Sequence, residues 1–391
     1  MQELRKRLNE EILKYKDTCF ELNKYMADHP ETAGEEYESS KKIVELLREN
    51  GFDVEYPFMG LETAFFAKRD SKERKYKIAV MVEFDALPGL GHACGHCLSG
   101  SISVLAGLAL THLQDELDAE IHIIGTPKEE HGGDKVPMAE NGVFDSYDMA
   151  MMVHMYDKNM LATTLLAVES FDLYYYGKAS HAANAPWEGR NALNGMQLFF
   201  HGMDMLRQHV KPDVRMHAVI NNGGKRANIV PEETKAEVYV RSLDRKYLKE
   251  VVSMVEDCAK GAAIATQTTW KRDDADGHVY DDLLMLDNGL EVLNQIYQEL
   301  DLNVTPHENI VFGSSDAGNV SYCCPTFHPA LQVVEEGISI HTREFEAAMK
   351  TSKAYEALEN GAKIIAYMVA DMTSDPERMA AMKKEFEEKR K

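Results

Sequence analysis

The sequence predicts an α/β protein with a mostly parallel sheet, into which a smaller α+β domain is inserted. Two short apolar runs, KIAVMVEF at 77–84 and EIHIIGT at 120–126, are rich in isoleucine and valine, as buried strands are. The apolar segment SISVLAGLALTHL at 101–113 lies between them and predicts a helix. A strand–helix–strand order is typical of parallel pairing. After about residue 168 the sequence pattern changes to antiparallel-type strand segments that alternate with helical segments, which predicts the second domain.

The remaining elements of the main domain follow in order. Residues 1–50 predict two helices, and Gly51 in ENGFDVE is typical of a helix stop. The run MAMMV at 149–153 predicts a further strand. Towards the end of the chain we expect the helix GLEVLNQIYQEL, another apolar strand and one long C-terminal helix.

The inserted domain is predicted at 168–275. Its segments FDLYYYGKASHAA, VRMHAVINNGG and KAEVYVRSLD predict antiparallel strands. They alternate with the helical segments RNALNGMQLFFHGMDMLRQHV and RKYLKEVVSMVEDCAKGAAIAT. Residues 1–167 and 276–391 would then form one discontinuous main domain.

Composition excludes several classes of protein. The chain has 391 residues, which predicts two or three domains, and a net charge of −22, which disfavours nucleic acid and anionic membranes as partners. No run reaches the roughly 20 apolar residues of a membrane span, and we expect no signal peptide. Six cysteines are too few for a disulfide scaffold in a chain of this length. We therefore expect a cytoplasmic protein.

Each predicted strand of the main domain runs into polar, chemically useful residues. KIAVMVEF is followed by Asp85 and GHACGHC, EIHIIGT by Glu129 and Glu130, and MAMMV by His154. Ligands of open α/β sheets bind at the carboxyl ends of the strands. Three strand ends therefore bring thiol, imidazole and carboxylate groups to one rim of the sheet.

These groups are good ligands for zinc and neighbouring metals. A pair of metals needs five or six ligands, so a further histidine from the C-terminal part is expected, either His341 in EEGISIHTREF or His328 in PTFHPAL. Of two adjacent glutamates, one can bind a metal while the other takes a proton from water.

The pair Cys94 and Cys97 allows a different interpretation, because C-x-x-C is also a redox motif. A thiol–disulfide oxidoreductase would explain none of the other motifs. A second alternative is a catalytically silent relative that acts as a binding or regulatory protein.

Several motifs resemble those of the aminoacylase-like metallopeptidases and amidohydrolases. The segments VEFDALPGLGHACGH, GTPKEEHGG, MMVHM, GKASHAANAPWEGRNAL, ANIVPEETKAEVYVRS and GSSDAGNVSY carry the resemblance, in the family's order. The nearest branch contains aminobenzoyl-glutamate, hippurate and auxin-conjugate hydrolases. The resemblance implies a zinc-peptidase-like catalytic domain with an inserted lid and dimerisation domain.

The resemblance also implies roles for individual residues. The metal ligands would be Cys94, His96, Glu130, His154 and His341, with His341 preferred to His328. The general base would be Glu129, and His181 would reach across a dimer to the substrate carbonyl of the other subunit. The substrate would contact Asn228 and Arg241, whose guanidinium suits a carboxylate. One departure is Cys97, which stands where the family usually has Asp or Asn; oxidation could join it to Cys94.

The expected function is hydrolysis of the amide bond of an N-acyl amino acid or short dipeptide, aminobenzoyl-glutamate-like or similar. The resemblance implies two divalent metal ions per subunit, zinc, manganese or cobalt. It also implies a homodimer formed through the lid domain.

Overall fold

The computed structural model describes residues 1–275, 279–306 and 311–391. The chain forms two compact units. The first contains Met1–Thr164, Leu283–Phe312 and Asp316–Lys391, and the second contains Leu165–Asp282 and Gly313–Ser315.

Helices and strands alternate through most of the chain. The helices are α1 (Gln2–Asp28), α2 (Tyr37–Glu49), α3 (His96–Thr111), α4 (Gln114–Leu117), α5 (Lys135–Glu140), α6 (Ala192–Leu206), α7 (Arg245–Thr266), α8 (Asp287–Glu299), α9 (Ala317–Ser321), α10 (Arg343–Ala348), α11 (Ser352–Ser374) and α12 (Pro376–Lys389). The strands are β1 (Asp53–Glu55), β2 (Phe65–Lys68), β3 (Tyr76–Val82), β4 (Ala119–Gly125), β5 (Met149–Met151), β6 (His154–Tyr156), β7 (Thr164–Leu165), β8 (Ala167–Tyr176), β9 (Arg215–Asn222), β10 (Glu233–Ser242), β11 (Thr269–Asp273), β12 (Val279–Tyr280), β13 (Val311–Gly313), β14 (Thr326–Phe327) and β15 (Ala330–Gln332).

The first unit is built on a sheet with the strand order β1-β2-β4-β3-β5-β14. Strand β3 pairs in parallel with β4 and β5, so that Val80 lies opposite Ile123 and Met151. All three side chains are buried in the core. Helix α3 connects β3 to β4, which confirms the predicted strand–helix–strand unit.

Helix α3 is buried along its whole length, because α1 and α11 pack against it as well as the sheet. The approach to the sheet is close at Gly107, where a Cβ atom would lie 2.4 Å from Cδ1 of Ile123. A larger residue here would force the Ile123 side chain or the helix to shift, since such contacts do not occur between real atoms.

The second unit is an antiparallel sheet with the order β11-β8-β10-β9, to which β12 adds by pairing with β8. In its register Val238 on β10 lies opposite Phe171 on β8 and Ala218 on β9. Helices α6 and α7 pack on the sheet and bury Phe199 and Val251 against it. The predicted α+β character of this segment is confirmed.

The C-terminal region differs from the prediction of one long helix. It forms two helices, α11 and α12, which are separated at Asp375. Pro376 has no N–H to continue the first helix and suits the first position of a new one. The Asp375 side chain caps α12 by accepting the N–H of Arg378. Within the described residues, no helix combines the length and apolarity that crossing a membrane requires.

Candidate metal centre

A left-handed glycine places His96 at the start of α3. The helix begins five residues earlier than predicted, directly after Gly95, whose φ is +88°. A Cβ atom on Gly95 would also lie only 2.7 Å from Cβ of Met155. Glycine meets both demands, because it adopts positive φ without strain and leaves room for the neighbouring strand. The His96 imidazole is therefore fixed in the first turn of a buried helix.

Asp85, which is fully buried, joins two of the loops that carry candidate ligands. Its Oδ1 lies 3.0 Å from Nδ1 of His96, and its Oδ2 accepts the N–H of Glu130 at 2.9 Å. A carboxylate can only accept, so Nδ1 of His96 carries a proton and Nε2 is the ring nitrogen left to bind a cation. That Nε2 lies 3.5 Å from Oε2 of Glu83 and 3.8 Å from Oε2 of Glu129.

The structure brings the six residues predicted as ligands or base into one cluster. Donor atoms lie within 4.8 Å of one another in each of three groups of three residues. The groups are Cys94, His96 and His154; Cys94, Glu130 and His341; and His96, Glu129 and Glu130. Because the groups share members, they form one continuous donor set.

Two buried atoms of this set test whether a cation fits. Among the described residues, Nε2 of His96 and Oε1 of Glu130 have no hydrogen-bond partner, although both are inaccessible to solvent. A buried polar atom without a partner is costly, and a bound cation would satisfy both. The donors are thiol, imidazole and carboxylate, which suit zinc or a neighbouring transition metal. The residues therefore fit a metal centre.

The buried surroundings shift the pKa values of His154 and Cys94, two of the donors. Burial, with the neighbouring His328 and His96, lowers the pKa of His154 to about 3, so its imidazole is neutral and can donate a lone pair. Burial and the nearby Glu130 raise the pKa of the Cys94 thiol. Metal binding would then release the thiol proton, because the thiolate is the ligand.

The carboxyl group of Glu129 has a raised pKa, caused first by burial and then by the charges of Glu83 and Glu130. Raised proton affinity at a buried carboxyl group is typical of a catalytic acid or base.

The structure places the two candidate C-terminal histidines differently. His341 adopts a φ of +62°, and its N–H donates to the carbonyl oxygen of Ala93 at 2.8 Å. Its Nε2 lies 3.7 Å from Oε1 of Glu130. His328 is buried, hydrogen-bonds through Nδ1 to Oγ1 of Thr163 at 2.8 Å, and belongs to none of the donor groups found among the described residues.

The three remaining predicted residues lie in the second unit. His181 is exposed, and its Nδ1 accepts the N–H of Asn184 at 3.1 Å. The carbonyl oxygen of Asn228 accepts the N–H of Ala182 at 3.0 Å, so these two segments are adjacent. Arg241 on β10 donates through Nη1 to Oγ of Ser314 at 2.9 Å.

Cys97 is buried in the first turn of α3, and its N–H donates to Nδ1 of His92 at 3.2 Å. Neither Cys97 nor Cys94 is in a disulfide.

Some residues around the cluster had no predicted role. Asp85 and Glu83 stand in the VEFD segment just after β3, where their carboxylates at a strand end were a readable signal. Lys135 and Asp316 are also fully buried here, and Nζ of Lys135 donates to Oδ1 of Asp316 at 2.7 Å. No sequence pattern predicts that this pair is buried, because a lysine is usually exposed.

Known proteins resemble both units. A peptidase dimerisation domain of the M20 family matches residues 168–266. The Xaa-Arg dipeptidase of Mus musculus is 31% identical over 98% of this chain and 92% of its own length. One of the p-aminobenzoyl-glutamate hydrolase chains of Escherichia coli is 30% identical over 69% of this chain and 60% of its own length. The solved structure of a dinuclear metal-binding M20 peptidase from Bacillus subtilis matches in fold, with a TM-score of 0.68 and 18% identity over 92% of this chain and 98% of its own.

The fold and the relatives together define a metal-binding hydrolase of peptide or amide bonds. The chain belongs to the M20 aminoacylase-like family of peptidases and amidohydrolases. The predicted family resemblance and reaction class are thereby confirmed.

Proposed function

We propose that this protein hydrolyses the amide bond of an N-acyl amino acid or short dipeptide at a two-metal centre. The observation that carries the proposal is the convergence of six predicted residues around two buried polar atoms that have no hydrogen-bond partner among the described residues. The ligands would be Cys94, His96, Glu130, His154 and His341. The metals would be zinc, manganese or cobalt.

When bound, the two cations would lower the pKa of a water molecule and polarise the scissile carbonyl. Glu129 is the general base: it accepts the proton of the attacking water and then delivers that proton to the departing amine. Its position supports this role: Glu129 and Glu130 share a donor group with His96, but only Glu130 also belongs to the group with Cys94 and His341. Asp85 holds the tautomer of His96 that leaves Nε2 free to bind a cation.

The names of the relatives support a particular class of substrate. They include Xaa-Arg dipeptidases and a p-aminobenzoyl-glutamate hydrolase, whose substrates release an amino acid with a free carboxylate. Arg241 would pair with that carboxylate, and Asn228 would add a hydrogen bond. His181 would stabilise the oxyanion in the site of a second subunit, in a homodimer formed through residues 168–266. A reducing, cytoplasmic location would keep the Cys94 thiol available as a ligand.

The test begins with protein made metal-free by exhaustive chelation under reducing conditions. The apoprotein and samples reloaded with Zn²⁺, Mn²⁺ or Co²⁺ are assayed on a panel of dipeptides and N-acyl amino acids, with metal content measured in each. We expect hydrolysis only in the reloaded samples. Full activity in verified metal-free protein would refute the metal dependence. Binding of dipeptides without hydrolysis in every sample would favour the catalytically silent alternative.

A further inference from the structure

A fully buried lysine lies beside the candidate base. Lys135, the first residue of α5, donates through Nζ to Oε1 of Glu83 at 2.6 Å and to Oδ1 of Asp316 at 2.7 Å. Its backbone N–H donates to the other oxygen of Asp316 at 3.0 Å. The side chains of all three residues are inaccessible to solvent. Such an arrangement needs a reason, because burying charged groups is costly even when they are paired.

The carboxylates that Lys135 binds also pack around Glu129. Glu83, Glu129 and Asp316 each offer an oxygen atom, and the three atoms lie within 4.8 Å of one another. Three carboxylates at this separation repel one another unless a positive charge lies among them. Here the ammonium group of Lys135 contacts two of the three, so a side chain of the protein provides that charge.

Lys135 keeps its charge in this environment. Burial alone would lower its pKa, but the carboxylates of Asp316, Glu83 and Glu129 raise it above the ordinary lysine value. The ammonium is therefore a permanent part of the structure across the pH range in which an enzyme works.

We propose that Lys135 is a positioning residue for Glu129: by holding Glu83 and Asp316 side by side, it fixes the carboxylates that orient the Glu129 side chain. Lys135 does not contact the substrate in this role, and it is not a metal ligand. Oε2 of Glu83 lies 3.5 Å from Nε2 of His96, so the same carboxylate contacts the lysine on one side and the donor set on the other. The catalytic consequence rests on the proposed role of Glu129 as general base.

The test compares Lys135→Met with Lys16→Met in metal-loaded protein. Lys16 is a matched control, because it is also a buried lysine of the same unit and pairs with Glu359 at 2.7 Å, away from the donor set. In Lys135→Met we expect kcat to fall about 100-fold, the scale of a misplaced catalytic group, with KM within about twofold and metal content unchanged. In Lys16→Met we expect lower thermal stability but wild-type kcat.

Crystal structures of the same variants give a readout that does not depend on activity. The Glu129 side chain should be displaced in Lys135→Met and unmoved in Lys16→Met. An unmoved Glu129, or loss of bound metal in Lys135→Met, would overturn the inference. A displaced Glu129 with wild-type kcat would instead refute Glu129 as the base and leave the positioning role standing.

A second variant covers the case in which Lys135→Met does not fold. Lys135→Met/Glu83→Gln removes the ammonium together with one of the carboxylates that it balances. We expect this double variant to fold, to keep its metals and to recover kcat about tenfold over Lys135→Met if that variant is soluble. If only the double variant folds, its kcat should still be reduced about tenfold from wild type, with Glu129 displaced. A double variant with wild-type kcat and an unmoved Glu129 would overturn the inference.

Discussion

Replacing Asp85 by asparagine should weaken metal binding although Asp85 itself need not touch a metal. The substitution keeps the size of the side chain but exchanges one acceptor oxygen for an NH₂ group. In the wild-type structure Asp85 accepts hydrogen bonds from Nδ1 of His96 at 3.0 Å and from the N–H of Glu130 at 2.9 Å. One of these two donors must therefore lose the side-chain oxygen; if it is Nδ1 of His96, only the carbonyl oxygen of Asp85, 3.2 Å away, remains as an acceptor.

Either orientation of the introduced amide would damage the donor set. If the NH₂ group faces His96, the favoured tautomer puts the proton on Nε2, and that nitrogen can no longer donate a lone pair to a cation. If it faces Glu130, a buried backbone N–H loses its partner and the Glu130 loop must shift. A buried unsatisfied donor costs about 1–3 kcal/mol. Since every 1.4 kcal/mol is tenfold, we expect metal affinity to fall roughly 10- to 100-fold.

The measurement is a competition titration of apoprotein against a chromophoric zinc chelator, under reducing conditions at fixed pH. Asp148→Asn is a matched control, because Asp148 is also a buried carboxylate that accepts a backbone N–H, that of Lys77 at 2.7 Å, outside the donor set. We expect the control to lose stability but not metal affinity. Wild-type affinity in Asp85→Asn, or an equal loss in both variants, would refute the reasoning.

Three further predictions concern the proposed roles. Glu129→Gln should keep its metals and lose roughly 10²–10⁴-fold in kcat, whereas Glu130→Gln should lose metal; metal analysis showing the reverse pattern would exchange the two roles. In full reductant, Cys94→Ser should lose metal and activity, and Cys97→Ser should be nearly neutral; equal losses would favour a paired role for the thiols. Co-expressed Glu129→Gln and His181→Ala chains should recover about a quarter of wild-type activity, because half of the dimers are mixed and each has one intact site. No recovery, with mixed dimers verified by mass, would place His181 within its own chain's site or outside catalysis.

Local patterns were enough to predict the strands β3 and β4 and to draw attention to the polar residues that follow them. The runs that became β3 and β4 are uniformly apolar, and the polar residues after them lie at strand ends. This is the geometry in which residues distant in sequence converge.

The start of α3 could not be predicted from the sequence in the same way. The turn HCLSG contains a glycine and polar residues, and its helical form depends on the packing around Gly95. The break at Pro376 was readable from the sequence, because proline favours the first turn of a new helix.

Lys135 shows why part of the site could not be predicted. Its partners Glu83 and Asp316 lie 52 and 181 residues away in sequence, so no local spacing links them. A lysine after GGD has the pattern of a solvated turn, and only the tertiary structure buries it. The same holds for the hydrogen bond that Asp85 accepts from the N–H of Glu130, which lies 45 residues away in sequence.

The structure around the start of α3 bears on the two interpretations of Cys94 and Cys97. As an isolated C-x-x-C, the pair fits redox chemistry and metal binding equally well. In the structure Sγ of Cys94 lies 3.5 Å from Nε2 of His154 and within the donor groups, whereas Cys97 belongs to none of the groups found among the described residues. A redox couple needs an accessible low-pKa thiolate, but burial raises the pKa of both thiols, that of Cys97 to about 12. The two thiols thus have different surroundings, and only that of Cys94 favours binding a cation.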